Sequence, residues 1–272
     1  MKKLIFLSLF FSSLFSGSIF SQANKKSASI ALETTDAQGR VAIAVTISDL
    51  PRQKFVLEIP ELFTNKELKG ELFNYSKQVW KYRSDGADMT LKDDKYEYTI
   101  KLDKFKSKNA IGLKWNISFK NNTNENVSDL IAFNCWTMNF APLFKDVEMK
   151  RTFVRDSLGN KITLNEVRKT KGGGRRTMQY YPAANSHVNL FESPWIRQWA
   201  VISNQQLSGN SISILSEDSK WLFENKVNGK VAFFFNNWED DHGCVHASPL
   251  MTKHLKPGKI AKASGVFKFT LL

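Results

Sequence analysis

The chain has 272 residues, 42% of them apolar and 24% charged, with a formal net charge of +13. That length and apolar content can bury a core without disulfide staples. Only two cysteines are present, so a small disulfide-built scaffold is excluded. The positive field favours polyanionic partners or serves solubility alone, and because no nucleic-acid-binding motif accompanies it, no nucleic acid is expected.

Residues 1–23 read as a secretory signal peptide. Lys2 and Lys3 form a basic start, the stretch from Leu4 to Phe20 is uncharged, and Ser21-Gln22-Ala23 offers the small residues that precede cleavage. Serines and a glycine weaken this stretch as a membrane anchor, and no later run is apolar enough to cross a bilayer. The expected location is therefore the periplasm or the exterior, with residues 24–272 as a single domain and no stable membrane span. Without Lys2 and Lys3 the net charge is +11. In that compartment Cys135 and Cys244 are open both to pairing and to remaining buried thiols.

Alternation of Val41, Ile43, Val45 and Ile47 predicts a strand. Residues 55–59 predict a second, stopped by Pro60. From Glu61 to Tyr82 charges mix with Leu68, Leu72, Phe73, Val79 and Trp80, and a short helix or an edge hairpin both fit. Residues 96–102 and 111–119 alternate again, and the polar residues 121–126 turn the chain into an apolar strand at 130–136. Residues 150–182 are the least sheet-like. There, residues 151–155 read as strand, 156–160 as a turn, and the triple glycine at 172–174 as a loop. Strands at 195–202, 211–215, 231–235 and 265–271 complete the set. With no sustained helical period, no repeat and no linker, the pattern predicts an all-β fold, a single large antiparallel β-sandwich.

Three of the four histidines fall close together, at His242, His246 and His254. The segment 236–250 that begins this run, with Asn236 and Trp238, is expected to form a loop at a sheet edge, where functional groups gather. Imidazole suits proton exchange near neutral pH, although each histidine taken singly also fits a turn cap or the core. Asp241, His242, Cys244 and His246 are metal-ligand types. No established ligand spacing is matched, however, and Gly243 and Pro249 oppose the helix that His-x-x-x-His would need, so no metal and no cofactor are expected. His187 follows Tyr180 and Tyr181 in a stretch opened by Arg175 and Arg176, with no acidic residue between Arg168 and Phe191. Its guanidinium groups suit a carboxylate or sulfate, and a solvated basic loop with a core tyrosine fits equally. Trp136, Trp195 and Trp238 offer indole faces to a sugar or to the core.

Two stretches carry a resemblance. The first is Phe133-Asn-Cys-Trp-Thr-Met-Asn-Phe-Ala-Pro-Leu-Phe-Lys-Asp146, followed by Arg151-Thr-Phe-Val154. The second is Cys244-Val-His-Ala-Ser-Pro249, followed by Leu255-Lys-Pro-Gly258 and Gly265-Val-Phe267. Over about the last half of the chain they resemble exported bacterial proteins with a supersandwich-like β fold, found among polysaccharide-degrading enzymes. Within that group the chain is similar to the oligosaccharide dehydratases of ulvan degradation. The resemblance implies an anionic oligosaccharide or polysaccharide partner and β-elimination of water from a terminal uronate, the work of a carbon–oxygen lyase. On that reading Arg175 or Arg176 neutralises the carboxylate, His187 and His246 act as base and acid, and Tyr180 or Tyr181 shares the proton transfer. Arg151, Trp136, Trp195, Trp238, Asn236 and His242 would contact the substrate. The same residue types suit an endo-acting polysaccharide lyase or a non-catalytic glycan-binding protein.

Overall fold

The computed structural model describes residues 28–37, 39–65, 77–167, 175–190, 200–238 and 243–272. Residues 1–23, expected as a leader, and Trp195 and His242 lie outside the described residues. Among the described residues the chain forms an eight-stranded and a nine-stranded sheet. The first, sheet A, runs in space through β1 (Ile30–Ala37), β2 (Arg40–Ile47), β3 (Lys54–Thr64), β8 (Val127–Phe140), β16 (Cys244–Leu255), β15 (Val231–Asn237), β11 (Arg175–Pro182) and β12 (Ala200–Ile202). Sheet B runs through β10 (Lys161–Thr163), β9 (Thr152–Asp156), β13 (Leu207–Leu215), β14 (Trp221–Val227), β17 (Ile260–Leu271), β7 (Ala110–Asn121), β6 (Tyr96–Lys106), β5 (Gly86–Lys92) and β4 (Lys81–Arg83). Neighbouring strands pair antiparallel, apart from the parallel pair β11 and β12. The predicted all-β antiparallel sandwich is the architecture that forms. Among the described residues no helix is long and apolar enough to cross a membrane.

The two sheets meet through the faces that alternation marks as apolar. Ile111, Leu113, Trp115, Ile117 and Phe119 of β7 are all buried. From sheet A, Trp136 stacks on Phe223 with ring centroids 5.0 Å apart and reaches Phe267 at 4.7 Å. Phe55 meets Phe269 at 4.8 Å, and Phe63 packs edge-on to Tyr98 and Phe119. Aromatic rings remove large apolar areas from water, at about 25 cal/mol per Å², so these contacts dominate the stability of the sandwich.

Three strands depart from expectation. β3 runs through Pro60 instead of stopping there. Its ladder to β8 shifts register between Glu58 and Leu62, so a residue with no N–H sits at an irregularity where no ladder bond is lost. Residues 244–250, the end of the segment 236–250 expected as a loop, lie in β16, an interior strand between β8 and β15. Pro249 lies where the pairing with β15 shifts register. Residues 178–182 pair with β15 within β11. The first six residues of β16 are all buried, and a strand covered on both faces shows no alternation to read.

Cys135 and Cys244 are buried free thiols. Cys244 pairs with Thr137, so Cys135 is its diagonal neighbour across the ladder. Diagonal α-carbons lie about 7–8 Å apart, at or beyond the roughly 7 Å that a disulfide spans.

Candidate functional site

Successive side chains of a strand point to opposite faces, so register alone sorts sheet A into rows. Leu57, Trp136, Val245, Asn236 and Gln179 form one row in register, turned toward sheet B. The adjoining rows face away from it. One holds Val56, Thr137, Cys244, Asn237 and Met178. The other holds Glu58, Cys135, His246, Phe235 and Tyr180, in which Glu58 pairs with Cys135, Phe235 with His246 and Tyr180 with Phe235. These two rows, joined by Arg40, Glu61, Phe133, Asn139 and Phe140, supply most of the lining of a cleft of about 550 Å³. That size suits a small molecule.

Arg40 organises one wall. Its Nε donates to Glu58 Oε2 at 2.7 Å and its Nη2 to Glu61 Oε1 at 3.2 Å. Burial, and then the Glu58 charge, push the Glu61 carboxyl up to about 8, with Arg40 acting in the opposite direction. Burial thus favours the protonated form of Glu61, beside an ion-paired carboxylate.

The floor is aromatic and soft. His246 is 0% exposed. It stacks on Phe133 with centroids 4.3 Å apart, has Phe235 edge-on at 4.9 Å, and holds Nε2 3.0 Å from Cys244 Sγ. Burial pulls its pKa down to about 3, weakly opposed by the backbone of Asn134, so the ring is neutral at physiological pH. The Cys135 thiol is pushed well above its ordinary range by neighbouring Cys244 first and burial second. Its Sγ lies 3.3 Å from Thr137 Oγ1. The ligand atoms of Cys135, Cys244 and His246 fall within 4.8 Å of one another, as do those of Glu58, Glu61 and Cys135. The cleft thus combines a proton donor, a proton acceptor, amide groups from Asn139 and Asn237, aromatic faces, and a thiol–imidazole cluster.

Of the residues picked out from sequence, His246 lines this cleft. Tyr180 shares its face, packed under Phe235 at 4.5 Å. Tyr181 points the other way and donates to Asn236 Oδ1 at 2.9 Å, which places both residues between the sheets. Trp136 is core, and Trp238 is buried outside the lining. Arg151 donates to the carbonyls of Leu143 at 3.2 Å, Leu215 at 2.6 Å, and Lys145, so it fastens the turn at Pro142–Phe144 to β13. His187 pairs with Asp129 and is not among the lining residues. Arg175 and Arg176 open β11, with side chains outside the described set. Arg40, Glu58, Glu61 and Cys135 were passed over as site residues, and Cys244 was weighed only as a metal-ligand type. Glu58 carried a readable signal, a charge inside the apolar strand Phe55-Val-Leu-Glu-Ile59.

No known family pattern and no curated protein matches the chain. Some solved structures are similar to the chain at low scores. One is a putative aldose 1-epimerase from Escherichia coli K12, at 9% identity over 90% of this chain and 100% of that one, with a TM-score of 0.44. Another is a galactose mutarotase related enzyme from Lactobacillus acidophilus, at 12% identity over 89% and 97%, with a TM-score of 0.46. A third is an aldose epimerase homologue from C. elegans, at 8% identity over 90% and 100%, with a TM-score of 0.42. At such values the likeness transfers no activity and no residue role to this chain.

These neighbours are described as epimerase- and mutarotase-like proteins, not as oligosaccharide dehydratases. The resemblance to the ulvan-type dehydratase is thereby corrected. With it go dehydration of a terminal uronate, the endo-lyase alternative and the carbon–oxygen lyase class. The geometry adds a physical reason: Tyr181 lies on the far face of the sheet and His187 stands off the cleft.

Proposed function

We propose that the cleft binds a small uncharged carbohydrate and interconverts its isomers by proton transfer. The observation that carries this reading is the fork of Arg40 between Glu58 and Glu61 at the wall of a sugar-sized cleft. In a cyclic sugar, a base takes the proton of the anomeric hydroxyl while an acid protonates the ring oxygen and the ring C–O bond breaks. Closure on the other face reverses both transfers, so composition is unchanged. Glu61 is the donor in this scheme and the Glu58 carboxylate the acceptor. Phe133 and Phe235 offer faces for the C–H side of the ring, and Asn139 and Asn237 offer hydrogen bonds to hydroxyls. The leader-like sequence of residues 1–23 supports a working site outside the cytoplasm.

The test is polarimetry on freshly dissolved single anomers of neutral hexoses and pentoses. Equilibration faster than in buffer, reduced about 100-fold or more by Glu61→Gln, is the expected result. No acceleration with any of these sugars would overturn the reading.

A further inference from the structure

We infer that Cys135, Cys244 and His246 form a binding site for a thiophilic divalent cation, zinc being the best fit, at the floor of the cleft. This inference is independent of the sugar chemistry above and stands on the packing of two strands. β8 and β16 are adjacent interior strands of sheet A, so the three side chains project from a rigid ladder. Cys244 and His246 are two residues apart on one strand and share a face. Register brings Cys135 in beside them from the next strand. His246 Nε2 is already 3.0 Å from Cys244 Sγ, and all three ligand atoms lie within 4.8 Å of one another. A cation seated between them needs only small side-chain rotations.

The donor set selects the ion. Two sulfurs and an imidazole are soft to borderline ligands, suited to zinc and unsuited to calcium or magnesium, which take oxygen. The surroundings favour the same choice. Phe133 and Phe235 enclose the imidazole, and an isolated charge there is expensive. A doubly charged cation bound by two thiolates carries no net charge, because both thiol protons leave on binding. Three protein ligands leave a fourth position, and Glu61 and Glu58 come within the same 4.8 Å reach of Cys135 on the cleft side. The site is therefore of the open type, with its free position toward bound ligand or water.

The reduced, metal-stripped full-length protein, titrated with cobalt(II), should develop thiolate-to-cobalt charge-transfer absorption that saturates stoichiometrically and is abolished by zinc. Cys135→Ser and Cys244→Ser should each weaken zinc binding by more than the roughly 100-fold that losing an outer-shell partner costs. His187→Ala should bind as wild type. Absence of the charge-transfer band in wild-type protein overturns the inference whatever the variants do. So does a Cys135–Cys244 disulfide found by mass spectrometry in the protein as isolated. Glu61→Gln separates the two readings, since the sulfur-derived band should persist in it even where anomer equilibration is lost.

Discussion

Arg40 on β2 and Glu58 on β3 meet at 2.7 Å on the outer face of sheet A, where Glu58 occupies a position flanked in sequence by Leu57 and Ile59, both buried. The carboxylate is tolerated there because the guanidinium satisfies it. Arg40→Met removes the partner and leaves two carboxyl groups facing each other. Charge-assisted bonds of this kind are worth about 1.5–3 kcal/mol each. The Arg40 side chain is 24% exposed, so water repairs part of the loss. A net destabilisation of about 2 kcal/mol is expected from the urea midpoint. Adding Glu58→Gln to Arg40→Met should recover part of it, since the two residues are coupled.

Stability should depend on pH in two opposing windows. The Glu61 carboxyl is raised from 4.5 to about 8 in the folded protein, so the folded state holds the proton longer than the unfolded chain. Its contribution is complete below 4.5 and is lost as pH rises through about 8. His246 is lowered from 6.5 to about 3, so its contribution is complete above 6.5 and is lost as pH falls toward 3. Thermal midpoints from pH 4 to 9 should show a flatter alkaline limb for Glu61→Gln than for wild type. An unchanged alkaline limb would mean that Glu61 is not held protonated.

His187 provides the complementary control. Its imidazole pairs with Asp129, and its side chain is 40% exposed. The Asp129 carboxylate it serves is only 10% exposed, and leaving a buried acceptor without its partner costs about 1–3 kcal/mol. His187→Ala should therefore cost about that amount and leave ligand binding in the cleft unchanged. Calorimetry and a binding titration on the same preparation check both halves. A large loss of binding would attach His187 to the site.

How much of this was legible follows from where each residue faces. β7 was readable because Ile111, Leu113, Trp115, Ile117 and Phe119 alternate with residues less deeply buried, and period-two patterning marks that situation. β16 was not, because Cys244 through Pro249 are covered on both sides and its proline sits at a register shift. Tyr180 and Tyr181 looked interchangeable in sequence, yet adjacent strand residues must take opposite faces. The cleft itself was mostly hidden. Cys135 and Cys244 are far apart in the chain, and only the β8–β16 ladder brings them to one face. The metal-ligand types noticed around residue 242 lacked a workable spacing because one ligand comes from another strand. His246 was found because histidine is rare in this chain, and Glu58 was available by the same logic as a charge in an apolar strand.

A close approach between interior strands supplies a sharp stability prediction. Gly265 on β17 pairs with Trp115 on β7 and with Val227 on β14. A Cβ at Gly265 would lie 2.2 Å from the carbonyl oxygen of Lys226 and 2.3 Å from the Trp115 ring. The first clash is with backbone held in an interior ladder, so rotamer changes cannot relieve it. Gly265→Ala should destabilise by about 1–3 kcal/mol, the range for overpacking. Gly265→Ala with Trp115→Leu removes the ring clash but not the carbonyl clash and opens a cavity, so it should not restore wild-type stability. Gly39 is the contrast. It has open space around the added atom and a φ of +81°, so Gly39→Ala should cost only backbone strain, about 1 kcal/mol. Guanidinium unfolding of the three variants ranks them. If Gly265→Ala is no less stable than Gly39→Ala, then β17 and β14 part at that point more easily than their ladder implies.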